Sequence, residues 1–104
     1  MLCDHDNAIL PIPRSQEENE WYRTNFDDQY VFTVWLGITK VGTTGLWQGD
    51  DGSDISWFNW RSNNPKSGND EPNVQYSKGS GEWTNVSLDN QQNNWAHTYC
   101  VFLI

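Results

Sequence analysis

Positive charge is scarce in this sequence: six Lys and Arg stand against fourteen Asp and Glu, leaving a net charge of −8. A surface of that sign repels nucleic-acid phosphates and anionic lipid headgroups, so neither is expected as a partner. Calcium, a cationic surface or simple solubility suits it better. Long apolar runs are missing as well. None approaches the ~18 residues of a membrane-spanning helix, and no membrane insertion is expected. Cysteine is confined to Cys3 and Cys100, a count that fits either two free thiols or one bridge. Residues 1–6 contain neither the basic nor the apolar stretch of a signal peptide. A piece or processed form of a longer protein is expected.

Signatures of chemistry are lacking too. His5 and His97 are far apart and have no ligand spacing for zinc. Asp50, Asp51 and Asp54 cluster, but Gly52 comes too early for a twelve-residue calcium loop and no Glu closes one; a polar turn is expected instead. No nucleophile elbow and no glycine-rich loop opening a helix is present. The adjacent acids Asp70 and Glu71 lack a cleft to act in. An enzyme is not expected.

Aromatic residues are abundant: seven Trp, four Tyr and four Phe among 104 residues. Each ring buries a large area, so a few of them can anchor a small core in a chain that is otherwise polar. Ser15-Gln16-Glu17-Glu18 fits a capping box, with Arg23 toward the opposite end as the helix dipole prefers. A helix is predicted over 15–26, with Tyr22 and Phe26 sharing its buried face. Val31 to Ile38 reads as a strand. Thr39 to Asp54 is rich in turn formers and reads as hairpin connections. Asn59 to Asp70 has the profile of a functional surface loop. A second hairpin is predicted around Lys78-Gly79-Ser80-Gly81, then a polar loop over 87–94. A buried strand is predicted over 98–104. The class is α+β: one or two helices, short antiparallel strands and a long loop region, in a single domain over 1–104.

In order along the chain stand Trp35-Leu36-Gly37-Ile38, Gly45-Leu46-Trp47, Asp51-Gly52-Ser53 and Phe58-Asn59-Trp60. That series, with Ser15, Glu18 and Asn19 upstream, resembles the C-type lectin-like domain over nearly the whole chain. The resemblance implies a long-range disulfide between Cys3 and Cys100. In the chain-entropy model such a loop contributes up to ~4.7 kcal/mol. The family's second disulfide is absent, with Asn73 where its first cysteine would stand. The family's usual first strand is also absent, which implies that the last strand lacks its partner and is prone to self-association.

Sugar-binding relatives hold one Ca²⁺ between an E-P-N loop, a later Glu and a W-N-D strand. Counting from Trp60, the resemblance places Asn64, Pro65 and Lys66 on the first motif and Glu71 on the later Glu. Trp83, Thr84 and Asn85 fall on the third. Glu71-Pro72-Asn73, taken literally as E-P-N, is the other register. The implied ligand-binding set is Asn64, Lys66, Glu71, Asn73, Thr84 and Asn85, with Glu71, Asn64 and Asn85 as metal ligands. Only Glu71 keeps a charge suited to Ca²⁺, which makes calcium binding weak or absent. Asn85-Val86-Ser87 is also a glycosylation sequon. Trp21, Trp47, Trp57, Trp60 and Trp95 are expected mostly in the core, Trp95 least so. The resemblance implies an extracellular or secreted module, or an ectodomain, that binds carbohydrate. The alternative it leaves open is a calcium-independent domain that binds a protein.

Overall fold

The computed structural model describes residues 8–26, 32–42, 44–67, 71–87, 96, 98 and 100–102. After the short strand β1 (Ala8–Ile9), the helix α1 spans Gln16–Asn25. Ser15 caps it from an extended conformation, its hydroxyl accepting the Glu18 N–H at 3.2 Å. Glu17 and Glu18 lie in the first turn and Arg23 in the last, so the charges oppose the macrodipole as predicted. The Phe26 N–H closes the helix on the Tyr22 carbonyl. Tyr22 and Phe26 stack at 5.9 Å, and Phe26 meets the edge of Tyr76 at 5.6 Å. One buried helix residue escapes any apolar pattern: Asn19, 2% exposed.

The main sheet contains β2 (Thr33–Val41), β3 (Leu46–Gly49), β4 (Asn73–Ser77) and β5 (Trp83–Val86), in the order β3-β2-β4-β5 and antiparallel throughout. Both predicted hairpins are present, as β2–β3 and β4–β5. Five consecutive residues of β2, Val34 to Ile38, are buried, because both faces of this strand are covered. Ile12, Phe26, Val34, Leu36, Ile38, Trp47, Val74, Tyr76 and Trp83 form the larger apolar cluster. Leu10, Trp35 and Val86 form the smaller.

Leu10 to Pro13 lies buried against β2, prolines included. Pro11 and Pro13 are fully buried and bring no N–H that would need a partner. The Pro11 carbonyl accepts the Gly37 N–H at 2.9 Å. A Cβ at Gly37 would fall 2.7 Å from the Leu10 carbonyl oxygen, so this crossing requires glycine. The β2–β4 register shifts between Trp35 and Thr39, around the same glycine.

Two expectations are corrected. The last strand, β6 (Val101–Phe102), has a partner: it pairs antiparallel with β1, with Ala8 opposite Phe102 and Ile9 opposite Val101. The edge expected to be open there is occupied. Trp21 is 58% exposed rather than in the core, because it sits on the solvent side of a helix whose inner face Asn19, Tyr22 and Phe26 already fill. Trp47 is buried, Trp57 and Trp60 are half-buried, and Trp95 lies outside the described residues. So do Cys3, His5, His97 and the polar loop over 88–94.

The acidic cluster forms a turn, as expected. Asp51 Oδ1 accepts the Ser53 N–H and hydroxyl at 3.0 and 2.5 Å, while Oδ2 meets Arg14 at 2.9 Å. The Ser53 hydrogen bonds, aided by Arg14, hold the Asp51 carboxyl below its ordinary pKa, whereas burial pushes neighbouring Asp50 up.

Asn19 binds the helix to the sheet. Its Nδ2 donates to the Gly81 carbonyl at 2.9 Å and its Oδ1 accepts from Trp83 Nε1 at 3.0 Å. Its backbone carbonyl accepts the Tyr76 hydroxyl at 2.6 Å. Asn19→Ala strands a buried indole N–H, and chemical denaturation is expected to show a loss of about 1–3 kcal/mol. A second expectation concerns pH. A carboxyl with a depressed pKa stabilises the fold above the unfolded value of ~3.9, and that contribution is lost as pH falls through the folded value. Asp51→Asn should therefore melt below the parent at neutral pH, and the gap should close in strong acid.

Candidate functional site

The loop that follows the tryptophan-rich stretch is stitched to β5 along its start. Trp83 N–H donates to the Asn59 carbonyl at 2.8 Å, and Arg61 N–H donates to the Trp83 carbonyl at 2.9 Å. The Asn59 amide adds a bond to the Gly81 carbonyl at 2.7 Å. Trp57, Phe58 and Trp60 pack their rings around Trp83 at 5.7, 6.2 and 5.8 Å. The chain then turns at Asn63, which takes a left-handed φ of 66° that asparagine tolerates, and passes through a cis Asn64–Pro65 bond.

Beyond the turn, the loop meets the Asn85 side chain. Asn85 is fully buried. Its Oδ1 accepts the Lys66 backbone N–H at 2.6 Å. Its Nδ2 donates to the carbonyls of Lys66 at 2.9 Å and Glu71 at 3.1 Å. One amide thus ties both limbs of the loop to the strand. Above it, Lys66 Nζ donates to the Asn85 carbonyl at 2.6 Å and faces Glu71 Oε2 at 3.4 Å. The Lys66 and Glu71 side chains stay 45% and 29% exposed, so the ion pair is open to a ligand on its outer side.

The structure therefore brings together Lys66, Glu71 and Asn85, with Asn64 two residues from Lys66 in the same loop. Asn64 Nδ2 donates to the Ser62 carbonyl at 3.1 Å, and its buried Oδ1 has no hydrogen-bond partner. Asn73 and Thr84 are placed differently. Asn73 opens β4 opposite Val86, and Thr84 sits in β5 opposite Gln75. Successive strand residues face opposite ways, so β5 turns Asn85 into the loop and Thr84 away from it. Of the two registers, the first assembles the cluster; in the second, Pro72 accepts the Lys40 N–H at 2.9 Å on the way into β4.

A groove of about 370 Å³ adjoins the cluster, lined by Lys40, Thr44, Gly45, Trp47, Pro65, Lys66 and Ser67. Lys40 Nζ reaches the Ser67 carbonyl at 3.4 Å across it. Lys40 and Thr44 were not legible as site residues, since the β2–β3 hairpin reaches the loop only in three dimensions.

The donor set does not fit calcium. Ca²⁺ takes six to eight oxygens, most effectively with several carboxylates. Among the described residues Glu71 supplies the cluster's one carboxylate, and an ammonium faces it. Asn85 Oδ1 and the Asn85 carbonyl both accept from Lys66. Among the described residues, no group of three His, Cys, Asp or Glu is placed to hold a metal.

The profile of the lectin C-type domain family matches residues 1–100. C-type mannose receptor 2 of Mus musculus is 35% identical over 85 residues, which is 80% of this chain and 6% of that receptor. Among solved structures, the C-type lectin CEL-I from Cucumaria echinata superposes with a TM-score of 0.68 at 22% identity, over 82% of this chain and 65% of that one. A calcium-independent type II antifreeze protein superposes with a TM-score of 0.66 at 18% identity, over 77% and 59% of the two chains.

The sequon at Asn85 meets a physical obstacle, because the nitrogen a glycan would occupy is buried and donates two hydrogen bonds. Intact-mass measurement of the protein from a glycosylating host is expected to find Asn85 unmodified. Asn85→Ala should cost about 1–3 kcal/mol in denaturant, through the loss of three hydrogen bonds to partly buried backbone groups of the loop.

Proposed function

The chain belongs to the lectin C-type domain family, and from that premise we propose that it is a non-enzymatic, extracellular carbohydrate-recognition module. The observation that carries this reading is the convergence of Lys66, Glu71 and Asn85 beside an open groove. The Lys66 ammonium and the Glu71 carboxylate offer a donor and an acceptor side by side, the pairing that adjacent sugar hydroxyls need. Lys40 and the Thr44 hydroxyl extend the polar lining across the groove. The sequence relationship to a mannose receptor supports a glycan ligand, although this chain spans only 6% of that protein's length. Calcium takes no part in the proposed contacts.

An extracellular setting accords with the disulfide between Cys3 and Cys100, which we include in the proposal. Its support is the β1–β6 ladder, which sets Ala8, five residues after Cys3, beside Phe102, two residues after Cys100. Among the described residues no cysteine is free. A bridge of this kind persists in oxidising compartments.

A protein ligand is the second reading. It is favoured by the fact that the Asn85 amide and three groups of Lys66 are already hydrogen-bonded within the chain, leaving a sugar fewer partners. A glycan array probed with and without chelator separates the two. Binding is expected, equal under both conditions, and at least tenfold weaker in Glu71→Gln. An array silent under both conditions would sink the glycan reading and leave the protein-ligand one.

A further inference from the structure

Loops of this length need an internal fastening, and the chemistry of this one is unusual. The segment from Asn64 to Glu71 has no regular secondary structure among its described residues, yet it lies against β5 through a single centre. Three charged or strongly polar groups meet there: the Lys66 ammonium, the Glu71 carboxylate and the Asn85 main-chain carbonyl. Their arrangement is that of a cation held between an acidic side chain and a peptide oxygen. The cation is covalently part of the chain.

We infer that the Lys66 ammonium replaces a bound divalent metal in this chain, tying the described residues on either side of the loop to β5 with no metal at all. Three observations converge. The ammonium sits 2.6 Å from the Asn85 carbonyl and 3.4 Å from Glu71, where its charge repels any metal approaching either oxygen. Asn85 Oδ1, which a metal would require as a ligand, accepts the N–H of the same lysine at 2.6 Å. The ammonium is fixed from its own backbone, since Lys66 N–H and carbonyl both bond the Asn85 amide, so the side chain reaches back over a short, closed path. Among the described residues Asn64 Oδ1, buried and without a partner, is one oxygen left over, far short of a calcium shell.

The inference deepens the recognition reading and rests on the same loop and strand, but it is read by stability rather than by ligand binding. Lys66→Met keeps the aliphatic stem and both backbone bonds while removing the charge and its hydrogen bond to the Asn85 carbonyl. Its Tm is expected to fall by about 4–8 °C, the size of shift that losing one net hydrogen bond produces in a domain of this length. The parent protein should melt at the same temperature in chelator and in roughly 10 mM calcium, a concentration above the weakest ordinary extracellular sites. A parent Tm that rises with calcium, or a Lys66→Met protein as stable as the parent, overturns the inference. Should Lys66→Met fail to fold, calcium calorimetry on the parent decides: no heat of binding upholds the inference and a saturating isotherm overturns it. Glycan binding, scored on the same samples, fails or succeeds independently of these melts.

Discussion

A buried amide, working beside the Phe26–Tyr76 ring contact, joins the helix of this protein to its sheet. Asn19 spends every polar atom of its side chain on groups that have no water to turn to, the Gly81 carbonyl and the Trp83 indole N–H. Each such bond adds only about 1 kcal/mol net, but leaving the same groups unpaired costs more than making the bond gains. The amide therefore acts as a constraint on position. Gly81 must come close enough for a side-chain atom there to collide with Asn19, at a φ of 76° that glycine adopts freely. Trp83, fully buried, is oriented by the same amide, and the rings of Trp57, Phe58 and Trp60 pack around it.

From that fixed tryptophan the order extends two residues along β5 to Asn85. Trp83 and Asn85 lie on one side of the strand, so the residue that anchors the core also sets the depth of the residue that anchors the loop. The second amide repeats the logic of the first, with both its atoms bonded to main-chain groups of the loop. A polar chain with a small core can order long irregular segments this way, because the main-chain groups of the loop find partners without forming a ladder. The exposed ion pair of Lys66 and Glu71 adds little by Coulomb energy alone, since pairs at such surfaces contribute about 0–1 kcal/mol. Its weight comes from the carbonyl bond that accompanies it.

Membership of the lectin C-type domain family and a calcium-poor site are compatible. The fold is set by the tryptophan-rich core and the antiparallel sheet, which need no metal; the loop proposed to carry recognition is fastened to β5 by Asn85 and Lys66. A calcium-independent antifreeze protein superposes on this chain with a TM-score of 0.66. Site chemistry and fold vary separately, as they do in other widely used architectures.

Much of the architecture was legible in the sequence. The helix over 16–25, its Ser15 cap, both hairpins and the Asp51 turn each depend on neighbours a few residues away, and short-range pattern reports such neighbours well. The order of the tryptophan and glycine motifs indicated the family. Burial of Asn19 and Asn85 was not legible, because a polar residue in a polar stretch carries no sign of the distant carbonyls it will meet, 62 residues away for Asn19. Pro11 and Pro13 are core residues that short-range pattern does not mark, since missing N–H groups become an advantage only once the segment is covered by another strand. The same holds for the site. The chain alone specified which residues stand near one another in the loop and in β5; only the packing of β5 against that loop decided that Lys66 would turn inward onto Asn85 and Glu71, and so which of those groups remain for a ligand.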